Sequence, residues 1–268
     1  MEILSFDIEI SDVFDLAPGE DIEKYAPFHI SIAATAIHGG EERLWFSEDN
    51  DGTPALNMTK QRAQDMLEYL ALKQDAGAMI CAWNGLSFDL KWIGYQAGNM
   101  ELAARIALKS YDPMFQFFNQ KGFPVGLAKV GAGMGIGQEK LMHGADAPKE
   151  WRAGHFDRVK EYVMGDCQMT NLIVHAIQQA EEVRWTTSRG TISSEPMERL
   201  KTAEDVIRDP APDQSVGTDM TLATPSASWI SSTVDSLTLQ SSESKASSGS
   251  STTWLSAMGS NDVPTATV

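Results

Sequence analysis

The sequence predicts an α/β fold, on three observations: β-prone stretches come first, a short wholly apolar run leads directly into a helix, and helical periodicity dominates from there to about residue 182. Residues Glu2 to Ile10 alternate and are rich in β-formers. Phe28 to His38 form a second run of Ile, Ala and Thr, and Glu42 to Phe46 a third, with Gly39-Gly40 as the turn between them. Three such runs in succession read as an antiparallel meander.

Thr59 then stands as a helix N-cap, and Ala63, Met66, Leu67, Leu70 and Ala71 recur at helical spacing up to about Lys73. Ala78 to Trp83 is the continuous apolar run expected of a strand buried on both faces; it ends at Asn84-Gly85 and passes into a helix over Leu86 to Ala97. Leu102 to Leu108 and Pro113 to Gln120 predict further helices. Phe156 to Glu182 predicts one long helix, with Val159, Tyr162, Val163, Met169, Leu172, Ile173 and Ala176 along its apolar side. Past Val183 a hairpin is expected, turning near Arg189-Gly190, then a short helix over Thr202 to Arg208 that ends before Pro210. From Thr221 to Val268, 22 of 48 residues are Ser or Thr and one is basic. So little apolar surface cannot offset chain entropy, and a disordered tail is expected there.

Composition bounds the function. Cys81 and Cys167 lie in apolar or helical runs and suggest reduced thiols, although a bridge between them stays open. The opening residues carry neither a basic leader nor a long apolar stretch, and no window approaches a membrane span, so a soluble cytoplasmic chain is expected. The 21 basic residues against 37 acidic ones give a net charge of -16, which excludes a surface that grips nucleic acid everywhere. It does not exclude a local site in which divalent cations, held by carboxylates, attract phosphate.

Asp7 and Glu9 are two apart in a strand, so both side chains point to one face. An Asp-x-Glu on an arbitrary strand is usually a solvated edge; here the strand is otherwise apolar, and acids in it need a partner such as a metal ion. Asp89 falls near the start of the helix after the apolar strand, where the crevice of an open α/β sheet forms, although a helix-start Asp also simply complements the helix dipole. Asn84 has an equally ordinary reading as an N-cap. Tyr162 and Asp166, four apart on the long helix, share a face; taken alone the pair reads as a core tyrosine beside a surface acid.

Together these residues are more specific than any one of them. Phe6-Asp-Ile-Glu, Asn84-Gly-Leu-Ser-Phe-Asp89 and Tyr162-Val-Met-Gly-Asp166 resemble the three motifs of the DEDDy 3'-5' exonucleases of the ribonuclease H-like superfamily, nearest in flavour to stand-alone relatives of the proofreading domain of family B DNA polymerases. The resemblance covers about residues 1 to 185, leaving 186 to 220 as a C-terminal extension and 221 to 268 as the tail. Glu161 stands where the histidine subclass would carry its His, so the tyrosine subclass fits.

The resemblance implies a central mixed five-stranded sheet with helices on both faces, and two Mg2+ or Mn2+ ions at Asp7, Glu9, Asp89 and Asp166. It implies that Tyr162 orients the attacking water and that Asn84 and Phe88 lie beside the terminal nucleotide. The expected reaction is removal of nucleoside monophosphates from the 3' end of single-stranded nucleic acid, DNA favoured, with a protein partner supplying processivity. A catalytically silent binding module on the same fold is the first rival; an RNA-trimming exonuclease or a structure-selective endonuclease is the second. Gly131 to Gly137 lacks the context of a phosphate loop and reads as a flexible connector. His143, His155 and His175 lack zinc spacing.

Overall fold

The structure, a computed structural model, describes residues 2–17, 20–137, 141–210, 227–230 and 232–233. Strand β1 (Ile3–Ile10) runs through the middle of the sheet. It pairs antiparallel with β2 (Ile30–Ile37), which pairs antiparallel with β3 (Glu42–Phe46). After α1 (Lys60–Asp75), strand β4 (Met79–Cys81) joins the other edge of β1 in parallel, so the sheet is mixed, in the order β3-β2-β1-β4.

Among the described residues this sheet has four strands, where five were expected. The fifth position is reduced to a single residue: Tyr111 bridges Cys81 in parallel, its N–H donating to the Ile80 carbonyl at 2.8 Å. It goes no further because Asp112 caps the next helix and Pro113 opens it, and a proline cannot extend a ladder.

Helices cover both faces. On one side α1, α2 (Asp89–Ala97) and α3 (Met100–Leu108) pack against Leu4, Phe6, Ile8 and Ile10, the even-numbered residues of β1. On the other side lies the long helix, preceded by α4 (Pro113–Lys121), α5 (Leu127–Gly133) and α6 (Ala147–Arg152). That helix, α7 (Phe156–Ala180), crosses β1 and β2. It can approach closely because β2 presents Ala34 and Ala36 there, and polar side chains stitch the contact: Ser5 Oγ donates to the Cys167 carbonyl at 2.8 Å and Asn171 Nδ2 to the Ala36 carbonyl at 3.0 Å. Cys81 and Cys167 are both free, buried thiols.

Beyond α7 the chain forms the hairpin β5 (Glu182–Thr186) and β6 (Ile192–Pro196), a separate two-stranded sheet, and then α8 (Ala203–Arg208), capped by Thr202. Three expectations change. The apolar run at residues 78–83 is a strand over three residues only, and the helix after it starts at Asp89 rather than Leu86, because residues 84–88 are taken up by a tight turn with Asn84 at a φ of 69°.

The first part of the glycine-rich connector, Gly131 to Gly133, is instead the end of α5, and Met134 to Gly137 follow it outside the helix; a Cβ on Gly133 would lie 2.4 Å from the Trp185 Cα, so glycine is what lets this helix seat on β5. Within the tail expected to be disordered, residues 227–230 and 232–233 are described. Ile230 is buried in the core cluster beneath α1 to α3, and Trp229 Nε1 donates to the Leu86 carbonyl at 2.7 Å. An Ile and a Trp supply locally the apolar area that the Ser/Thr-rich average conceals. The remainder of that tail lies outside the described residues. No helix among the described residues is long and apolar enough to cross a membrane.

Candidate metal centre

The period of two along β1 sends Asp7 and Glu9 to the face opposite Phe6 and Ile8, toward α7. They sit in register with Ala34 and Ile32 of β2. Glu9 is 7% exposed and its backbone carbonyl accepts the Ser31 hydroxyl at 2.9 Å, so the strand is fixed where the acids project.

From α7, Asp166 meets them. The three residues each offer a carboxylate oxygen, and those oxygens lie within 4.8 Å of one another. Three like charges this close repel strongly in a partly buried setting. The donor set suits a hard divalent cation, which is bound by oxygen and relieves that repulsion.

Tyr162, one turn before Asp166 on α7, is buried beside the same group. Burial first, then the charges of Glu9, Asp166 and Asp7 and a hydrogen bond with Asp166, push its phenol far above the ordinary tyrosine range. The hydroxyl is therefore a neutral donor at any physiological pH.

Asp89 stands apart from these three. It is 4% exposed, and its Oδ1 accepts the Ile8 N–H at 3.0 Å, which fastens the start of α2 to β1 from the opposite side of the strand. Burial, with further contributions from the Asp112 and Asp166 charges, raises its carboxyl to about 7, against the lowering effect of the Ile8 bond. It feels the Asp166 charge while its Oδ1 is engaged by the Ile8 N–H.

A cleft of about 300 Å³ opens over the cluster. Asp7, Glu9, Tyr162, Asp166 and Phe88 are among its lining residues. Of the residues singled out in the sequence, these five share the cleft, while Asn84 and Asp89 are outside its lining. Asn84 does not cap α2 with its side chain; its N–H donates to Asp112 Oδ1 at 3.1 Å and its buried Oδ1 accepts no hydrogen bond.

Sequence reasoning missed Phe14, Leu16 and Ile22, which give the cleft an apolar side, and Asp12, whose Oδ2 accepts the His29 N–H at 2.6 Å. Asp12, Phe14 and Leu16 lie in irregular chain after β1 and Ile22 opens a single 3-10 turn, where no periodicity marks them, and only their closeness to the Asp-x-Glu pair could have drawn notice. A second cavity, of about 370 Å³, runs along α5, lined by glycines, alanines, Ile136 and Met169, with no ionisable group among its lining residues.

No family model matches the chain, and no curated protein matches it. Among the solved structures that match is a family B DNA polymerase from the hyperthermophilic archaeon Pyrobaculum calidifontis, with a TM-score of 0.44 and 13% identity over 66% of this chain. The match spans 24% of that polymerase. A likeness at this level leaves the function to be argued from the chain's own residues.

Proposed function

We propose that this chain is a metal-dependent 3'-5' exonuclease on a ribonuclease H-like fold, acting on single-stranded nucleic acid with DNA preferred. The observation that carries the reading is the convergence of Asp7 and Glu9 from the central strand with Asp166 from the long helix, within 4.8 Å, beside the neutral Tyr162 hydroxyl. Two divalent ions, Mg2+ or Mn2+, held by Asp7, Glu9 and Asp166 with Asp89 behind them, would supply an activated water and offset the charge of an in-line phosphoryl displacement.

The chain's own residues do the rest. Tyr162, a neutral phenol beside the three acids, would hydrogen-bond to the attacking water and orient it. Phe88, Phe14 and Leu16 offer apolar surface to the terminal base, and Asn84 would act from the start of the turn that ends at Phe88. Selectivity for a chain end follows from a cleft of about 300 Å³, large enough for about one nucleotide.

The test is digestion of 5'-labelled and 3'-labelled single-stranded DNA and RNA in Mg2+, Mn2+ or EDTA. A ladder shortening from the 3' end, abolished by EDTA, is expected. Internal cuts would replace this reading with an endonuclease, and faster loss of RNA with an RNA-trimming enzyme. One observation favours a silent binding module: Asp89 is engaged with the Ile8 N–H rather than grouped with the other acids. Binding of the oligonucleotide without shortening would select that module.

A further inference from the structure

The turn from Asn84 to Phe88 is tightly constrained. Asn84 has left-handed φ, and a Cβ on Gly85 would lie 2.4 Å from that of Ala82. Such a turn persists only when its surroundings hold it. One carboxylate does so. Asp112 Oδ1 accepts the Asn84 N–H at 3.1 Å, and Oδ2 accepts the Leu86 N–H at 3.1 Å. The same Oδ1 accepts the Phe115 N–H at 3.1 Å and so caps α4.

Asp112 is itself anchored to the sheet, because the neighbouring Tyr111 donates to the Ile80 carbonyl at 2.8 Å and accepts the Ala82 N–H at 3.2 Å. Asp112, a buried side chain, therefore ties the turn to the end of β4, alongside the Trp229 bond to the Leu86 carbonyl. At the far end of that turn Phe88 lines the cleft.

Resting on the exonuclease reading, we propose that Asp112 is a positioning residue for the strand end: by fixing the Asn84–Phe88 turn it sets how tightly the cleft takes the terminal nucleotide. It does this without touching the ions, whose carboxylates Asp7, Glu9 and Asp166 belong to β1 and α7. A role through the turn acts on strand binding; a role in the metal centre would act on turnover and ion affinity together.

Two variants separate these. Asp112→Ser keeps a capping hydroxyl for α4 but cannot bridge two amides of the turn. Asp112→Asn keeps the size and shape while offering an NH2 donor to an N–H that needs an acceptor. Each is assayed at pH 8 for folding by circular dichroism, for Mn2+ affinity, and for kcat and KM on a 5'-labelled single-stranded oligonucleotide. The expected result is a KM about tenfold higher, as loss of hydrogen bonds to a charged acceptor predicts, with kcat and Mn2+ affinity unchanged.

A serine variant with wild-type KM overturns the role, as does a fall of kcat in step with Mn2+ affinity. Should the serine variant unfold, the asparagine variant is judged by the same readout; unfolding of both overturns the role in favour of a purely structural one. A wild-type protein that neither shortens nor binds the oligonucleotide overturns the exonuclease reading and this role with it. An active wild type beside variants of unmoved KM overturns this role alone.

Discussion

Buried against Glu9, Asp166 and Asp7, the Tyr162 phenol stays neutral and acts through hydrogen bonds rather than as an anion. Tyr162→Phe should therefore lower kcat by about 10²-fold, the scale of losing a group that orients the reacting water, while Mn2+ affinity holds. A parallel loss of Mn2+ affinity would assign the phenol to ion binding. Asp89 makes a prediction of opposite character. Its carboxyl is raised in the folded chain to about 7, mainly by burial, so the folded state holds its proton more tightly than the unfolded state does. Stability must then fall as pH rises from the unfolded value near 4 through about 7, the reverse of a salt-bridged acid. In metal-free protein, Asp89→Asn should raise the melting temperature by a few degrees at pH 8, and the gain should shrink steadily as pH is lowered toward 4. A gain that grows at low pH would contradict the burial argument. The Asp7–Glu9 and Tyr162–Asp166 pairs were legible in the sequence because strand and helix periods put each on one face, and it was the resemblance of the motifs that joined them into one expected site. Asp112 was not, because its bonds run to the backbone of a turn 26 and 28 residues earlier, and backbone partners leave no mark in a sequence.

At the level of elements, α7 and α5 depend on small residues beneath them. Ala34 and Ala36 let α7 bring Asp166 down to β1, and Gly133 lets α5 lie on the backbone of β5. Gly133→Ala places a Cβ inside contact distance of the Trp185 main chain, and overpacking of this kind costs about 1–3 kcal/mol. Denaturant unfolding checks it, and a neutral result would mean that α5 moves freely on the hairpin. The long amphipathic elements were readable, α1 with its Thr59 cap among them, whereas the caps Asp112 and Thr202 emerge only in the structure. Two features were not. The glycine-rich stretch reads as a connector because glycine disfavours a helix locally, and only close packing against a distant strand outweighs that. The apolar run at residues 78–83 misleads in the other direction, since its ladder with β1 ends at Cys81 and Trp83, only partly buried, leads into the turn.

Considered as a whole, the molecule is a mixed four-stranded sheet between two helical layers, to which a hairpin, a short helix and a fragment of the C-terminal region are added. That fragment supports the core as well as the turn near the cleft, through Ile230 and the Trp229 bond to Leu86. Ile230→Ala should cost about 2–5 kcal/mol, the range for truncating a fully buried aliphatic side chain, whereas an undocked segment would show no change in denaturant midpoint. Sequence composition averaged this segment away, because two apolar residues in a Ser/Thr-rich stretch act through where they land. The net charge of -16 has its own consequence: the acids at the cleft bring like charge to phosphate unless cations intervene, so strand binding should need divalent ions. Strand binding and cleavage alike depend on Asp7, Glu9 and Asp166 forming one cation site. Titration of metal-free protein with Mn2+, monitored by electron paramagnetic resonance of the free ion, tests that most directly. Wild type should take up Mn2+ and Asp7→Ala, still folded, should lose that uptake; equal uptake by both, or none by wild type at millimolar Mn2+, would contradict the account.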